Sequence, residues 1–208
     1  LIKERAVRKI ITTTFISLDG VMQAPGGPDE DRDGGFSHGG WMFGYWDDAG
    51  SSTMDGFMRQ PFELLLGRRT YDIFAAYWPK ATTDQNVALP FNRTRKYVVS
   101  HGRPQLSWHN STLVTGDVVG EIRKLKEMDA PDLWVHGSAK LIQTLLANGL
   151  VDVMHLWILP VTLGPGKRLF AEGTRPEGFK LIASKVSATG VIIASYEPAG
   201  AIKAGSFV

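Results

Sequence analysis

Apolar, β-branched and aromatic residues gather in eight short runs, at about 8–16, 62–66, 95–100, 111–114, 132–136, 151–159, 179–186 and 190–197. Runs of that length and content predict strands. Helical spacing fills the gaps between the earlier ones. Within 117–128, Val118, Ile122 and Leu125 share one face behind a capping Asp117. Within 138–147, Leu141, Ile142, Leu145 and Leu146 do the same, opened by Ser138 and stopped by Asn148-Gly149. Further helices are expected over about 53–60 and from Thr70 to just before Trp78-Pro79. Strands alternating with helices predict a mainly parallel sheet covered on both faces. The last two strands meet across Ala188-Thr189-Gly190, so the C-terminal edge should be an antiparallel hairpin.

No internal repeat or interdomain linker interrupts this pattern. A single domain is expected over 8–198, with flexible ends at 1–7 and 199–208. Residues 17–52 form a long connection with nine glycines among Trp41, Phe43, Tyr45 and Trp46. Connections of that length in compact domains are often functional.

Composition narrows the possibilities. The 208 residues are 43% hydrophobic and 21% charged, an ordinary globular balance. With 23 basic and 21 acidic residues mixed along the chain, nothing calls for a nucleic-acid partner. The absence of cysteine excludes disulfides, thiolate nucleophiles and Cys-ligated metals. The five histidines (38, 101, 109, 136 and 155) show no metal-ligand spacing. No apolar run approaches the ~20 residues that span a membrane. Leu1 to Arg8 is charged and carries no signal-like segment, so a cytoplasmic location is expected.

Candidate chemistry lies at the ends of three strands. In Phe62-Glu63-Leu64-Leu65-Leu66-Gly67-Arg68-Arg69-Thr70-Tyr71 a buried strand ends, glycine permits a tight turn, two arginines follow and threonine opens a helix. Helix N–H groups and guanidinium forks suit a phosphate. A plain turn with solvated arginines fits these residues equally well. The stretch Leu133-Trp134-Val135-His136-Gly137-Ser138-Ala139-Lys140-Leu141 repeats the strand–turn–helix form with small residues at 137–139, and Val98-Val99-Ser100-His101 ends a third strand. Open α/β sheets bind ligands at such strand ends. Gly164-Pro165-Gly166 is neither a Rossmann fingerprint nor a P-loop, and a Gly-x-Ser-x-Gly elbow is absent.

Several motifs in order carry a resemblance over about Arg8 to Pro198. They are Ser17-Leu18-Asp19-Gly20, Gly40-Trp41 through Tyr45-Trp46-Asp47-Asp48, Leu65 to Tyr71, Tyr97 to Ser100, Val135 to Ser138, and Gly149 to Asp152 leading to Leu159 through Phe170. Together they resemble the dihydrofolate-reductase-like superfamily, and within it stand-alone bacterial proteins that share the reductase domain of bifunctional riboflavin-biosynthesis enzymes. That resemblance implies a three-layer α/β fold with an eight-stranded, mainly parallel mixed sheet and NADPH lying across the strand ends. By the same likeness Gly67, Arg68, Arg69 and Thr70 hold the adenosine phosphates, and Ser100 and His101 flank the 2′-phosphate. Gly137, Ser138, Ala139, Lys140 and Leu141 cradle the pyrophosphate, while Phe15, Ile16 and the loop from Asp19 to Ala24 border the nicotinamide. His136 stands where the riboflavin-pathway reductase has a substrate-contacting glutamate. Ser51-Ser52-Thr53-Met54 stands where dihydrofolate reductases carry a helical carboxylate.

The expected activity is NADPH-dependent reduction of a small heterocycle of pterin or aminopyrimidine type, in a homodimer that pairs through Leu159 to Phe170. By family analogy that reaction is the 5-amino-6-(5-phosphoribosylamino)uracil reduction of riboflavin biosynthesis; dihydrofolate-reductase-type activity, a xenobiotic reductase and a non-catalytic NADPH-binding regulator are the alternatives. Asp19, Asp47, Asp48 and His136 are the candidate proton donors, and Trp41 and Trp46 a candidate slot for the substrate ring. Each has a plainer use: Asp-Gly favours turns, loop aromatics pack on cores, and buried histidines are commonly structural.

Overall fold

A computed structural model describes residues 7–206. In chain order its elements are β1 (Ile10–Ser17), α1 (Asp48–Met58), β2 (Phe62–Gly67), α2 (Arg68–Tyr77), α3 (Gln85–Arg93), β3 (Lys96–Val99) and β4 (Ser111–Val114). They continue with α4 (Val118–Lys126), β5 (Asp132–His136), α5 (Ala139–Ala147), β6 (Val153–Leu159), β7 (Gly178–Val186) and β8 (Ile192–Gly200). The strands form one eight-stranded sheet in the order β4-β3-β2-β5-β1-β6-β8-β7. Six run parallel, while β8 and β7 close the edge as an antiparallel hairpin. The expected three-layer α/β fold is the observed one.

Strand alternation divides the core between two faces. Leu133 and Val135 of β5 meet Ile122 of α4 and Leu141, Ile142 and Leu145 of α5 in one cluster. Trp134 points the other way, into a cluster with Met54 and Met58 of α1, Tyr71 of α2 and Phe91 of α3. Because the body of the sheet is parallel, every βα turn there emerges on the same edge. This is what gathers the candidate segments.

Several boundaries differ from expectation, each for a local reason. β1 begins at Ile10, where the preceding Lys9 N–H goes to the Asp132 carboxylate, at 2.7 Å, and not to a strand carbonyl. β6 begins at Val153 because Asp152 gives its carboxylate to the Ile10 N–H, at 2.7 Å. α1 starts at Asp48 rather than near 53, since Asp47 accepts the Gly50 N–H at 2.9 Å and so caps it ahead of weak helix formers. α3 was not anticipated. Its Pro90 and polar ends hide the pattern, but Ala88 and Phe91 are buried. β8 continues to Gly200, two residues past the expected domain end. Residues 1–6 and 207–208 of the expected flexible ends lie outside the described residues.

Candidate functional site

Two strand ends are tied together by one serine. Ser138 Oγ accepts the Gly67 N–H at 2.8 Å and donates to Thr70 Oγ1 at 2.7 Å. The chain reaches this tie by turning left-handed at Gly137 (φ 76°) and again at Ser138 (φ 63°). A non-glycine residue rarely holds that conformation, so the two hydrogen bonds help maintain it. Glycine is required at 67 by space, because a Cβ there would stand 2.8 Å from Ser138 Oγ. Leu141 lies buried beneath the turn, whereas Ala139 is half-buried and Lys140 exposed.

The tie sets the N-termini of α2 and α5 side by side, and neither helix has a side-chain cap. By contrast, α1 and α4 are capped by Asp47 and Asp117. Uncapped first-turn N–H groups with the positive helix end are what an anion satisfies. β3 lies beside β2 with Val99 opposite Gly67, so Ser100 and His101 follow at the neighbouring strand end. Ser100 Oγ accepts the Gly102 N–H at 3.3 Å, and His101 is exposed.

The arginines expected to meet phosphate already have acidic partners. Arg68 Nε lies 2.8 and 2.7 Å from the two Asp72 oxygens, bonds that raise its pKa. Arg69 Nη2 lies 2.9 Å from Asp31 and 2.8 Å from Asp33 of the β1–α1 connection.

The residues assigned to the nicotinamide border are spread over different surroundings. Phe15 and Ile16 point to opposite faces of β1, as neighbours in a strand must. Phe15 meets Trp157 at 5.2 Å, while Ile16 is buried in the α5-side core. Ala24, at φ 48°, is buried with Val21 and Phe36.

The three carboxylates expected as proton donors stand in different settings. Asp19 accepts from Ser17 Oγ at 2.6 Å and from the N–H groups of Leu163 and Gly164 at 3.1 and 2.8 Å. The Ser17 bond foremost, aided by the two N–H groups, holds its pKa at about 2. It is therefore ionised at neutral pH and serves to pin the β6–β7 connection onto β1. Asp47 is likewise held below its ordinary value, mainly by the Gly50 N–H it caps. Asp48 is exposed in the first turn of α1.

The aromatic slot is also filled from within. Trp46 stacks on Trp157 at 5.6 Å and gives its N–H to Ser51 at 2.9 Å; Trp41 gives its own to Gln23 O at 2.7 Å. The cavity between Phe15, Met42, Tyr45, Trp46 and Trp157 is about 10 Å³, room for a single water.

A polar row that the sequence reading did not single out runs beneath α1. His136, Thr13 and His155 are direct neighbours across β5, β1 and β6, and Ser195 of β8 follows. His155 Nδ1 is 2.7 Å from Ser195 Oγ, and Phe57 of α1 stacks on its ring at 4.4 Å. Phe91 meets His136 at 5.1 Å. Thr13 Oγ1, His136 Nε2 and Trp157 Nε1 are buried without a hydrogen-bond partner among the described residues. Burial pushes His136 down to about 3, with His155 adding to it, and pushes His155 down to about 4. Burial thus favours the neutral form of the His136 imidazole, which keeps a single ring N–H. The available signal was Thr12-Thr13-Thr14 in a central strand and a histidine within the apolar run 153–159.

Among the described residues no helix is long and apolar enough to cross a membrane, and no group of His, Asp or Glu gathers as a metal site.

Residues 8–193 match the family described as the RibD C-terminal domain. The Bacillus subtilis protein YyaP is 28% identical over 192 residues, covering 89% of this chain and 92% of its own. Among solved structures, Enterococcus faecalis dihydrofolate reductase complexed with NADP(H) superposes with a TM-score of 0.58 at 13% identity, over 92% of this chain and 96% of that one. The Thermotoga maritima diaminohydroxyphosphoribosylaminopyrimidine deaminase/5-amino-6-(5-phosphoribosylamino)uracil reductase gives 0.59 at 16%, over 92% of this chain and 57% of that larger one. These two likenesses establish the fold.

Proposed function

The chain belongs to the RibD C-terminal domain family, and on that premise we propose that it is an NADPH-dependent reductase of a small heterocyclic substrate. The observation that carries this reading is the Ser138 tie, which sets two uncapped helix N-termini and the space-limited Gly67 at one strand-end cradle. That arrangement fits a diphosphate: close backbone approach, free N–H donors and adjacent arginines. The bound nicotinamide would supply a hydride.

The chain's own residues would bind, orient and exclude water. Thr70, Gly137 and Ala139 would hold the phosphates by their N–H groups, with Gly67 allowing their close approach and Ser100 and His101 beside them. Thr13 and His136 have buried polar atoms without partners, at a cost of ~1–3 kcal/mol each. Phe57 of α1 and Phe91 of α3 pack on the histidines of this row, so a substrate ring would have to displace them to reach it. By analogy with the Thermotoga maritima enzyme, an aminopyrimidine such as 5-amino-6-(5-phosphoribosylamino)uracil is the first substrate to test, which would place the chain in riboflavin biosynthesis. Dihydrofolate is the second.

Calorimetry with NADPH and NADH tests the reading without a substrate. Charge-assisted bonds to the extra phosphate contribute ~1.5–3 kcal/mol each, so two of them should make NADPH bind at least ~10²-fold tighter. Arg68→Ala and Arg69→Ala should differ, one collapsing that preference and the other weakening both cofactors. Equal affinities would remove the NADPH assignment, and no binding of either would remove the reductase. NADPH oxidation in the presence of each heterocycle then separates an enzyme from a regulator.

A further inference from the structure

Arg69 opens α2 beside the Gly67–Ser138 cradle, yet acids of the chain itself hold it. The segment 29–33 reads Asp-Glu-Asp-Arg-Asp, four acids against one arginine, and Arg32 is itself paired with Asp29. Lys167, from the β6–β7 connection, lies 2.5 Å from Asp31 and 2.8 Å from Asp33. Two cations and two anions cancel where a phosphate needs a positive field. Gln23 fixes the arrangement: its amide donates to Asp31 O and Asp33 O at 3.1 and 3.0 Å, and its oxygen accepts the Lys167 N–H at 3.0 Å. The Lys167 ammonium, followed by the Arg69 guanidinium, holds the Asp33 carboxyl below its ordinary value.

We propose that Asp31 and Asp33 are an internal anion occupying Arg69 in the free protein. A phosphate or diphosphate entering the cradle takes the guanidinium from them and loosens the segment 29–33, which Lys167 and Gln23 still hold. The role of the cradle rests on the cofactor reading above. Carboxylate and phosphate both make charge-assisted bonds to a guanidinium, so the exchange is close to balanced and reversible. Movement is confined to the acidic segment, because Trp41 bonds Gln23 O at 2.7 Å and Gly40 bonds Ala24 O at 2.9 Å on either side of it.

Hydrogen exchange on the full chain, with inorganic pyrophosphate as probe and sodium chloride at matched ionic strength as control, tests the loosening. Amides within 29–36 should exchange several-fold faster with pyrophosphate alone. Asp31→Asn and Asp33→Asn should bind pyrophosphate roughly two- to fivefold tighter, the range expected from removing one partly exposed ion pair. Asp33 is 47% exposed, so its variant should fold even if the Asp31 one does not. Unchanged exchange, or weaker pyrophosphate binding in the variants, overturns the proposal. NADPH binding without faster exchange sinks the internal anion and spares the cofactor. Loosening by pyrophosphate without any NADPH binding does the reverse.

Discussion

Ser138 Oγ stands 2.8 Å from the amide nitrogen of Gly67, across 71 residues of sequence, and is the atom a side chain at 67 would strike. One contact thus explains both the hydrogen bond and the glycine. It also makes the two βα turns a single unit, since neither can shift without breaking the bond to the other.

Gly67→Ala should therefore damage the cradle more than the fold. The added Cβ would lie 2.8 Å from Ser138 Oγ and 3.0 Å from its Cβ, so Ser138 must move and its bonds to Gly67 and Thr70 go with it. We expect a loss of ~1–3 kcal/mol in stability, typical of small overpacking, and at least tenfold weaker NADPH binding. Urea titration and calorimetry read the two effects. Unchanged cofactor affinity in the folded variant would separate this turn from the phosphate site.

Acid should destabilise the protein before its carboxylates titrate. His136 and His155 titrate at about 3 and about 4 in the fold and near 6.5 in the unfolded chain. Between those values the unfolded chain binds more protons, so stability falls as pH drops through 6.5 towards 4 and is fully present above that window. Urea midpoints at pH 7.5, 5.5 and 4.5 should fall in that order. His136→Leu should show a shallower fall than the wild type, and a parallel one would mean that His136 does not contribute.

Lys96 should be a structural cation. It is fully buried, and its ammonium donates to the carbonyls of Asn92, Thr94 and His109 at 3.0, 2.9 and 3.3 Å with the Trp108 ring 4.2 Å away. Burial lowers its pKa to about 8. Lys96→Met leaves three carbonyls without that donor and should cost about 3 kcal/mol, by analogy with breaking other buried charged contacts. A urea midpoint within experimental error of wild type would show that water replaces the ammonium.

In solution we expect a homodimer. Phe170, Leu181 and Val186 are exposed apolar side chains on or near the hairpin edge of the sheet. Light scattering should give twice the chain mass of 22.8 kDa across a dilution series. A value equal to the chain mass at every concentration would refute it.

Much of the architecture was legible because it depends on local chemistry. Apolar runs such as 62–66 and 132–136 are strands wherever they lie, and Asn148-Gly149 ends a helix without outside help. α3 escaped because Pro90 argues against a helix locally, while burial of Ala88 and Phe91 argues for it only once the sheet exists.

The site divides along the same line. Sequence by itself determined that Gly67, Thr70, Gly137 and Ser138 belong to strand-to-helix turns, since small residues and hydroxyls at those points are local instructions. Tertiary structure alone decided what each polar group faces. Asp19 became an anchor for Leu163 and Gly164, Arg69 became the partner of Asp31 and Asp33, and Thr13 fell between two histidines. Those outcomes depend on strand order and on which connections cross the same sheet edge. A charge's partner, burial and pKa come from segments far away in the chain, and no local pattern records them.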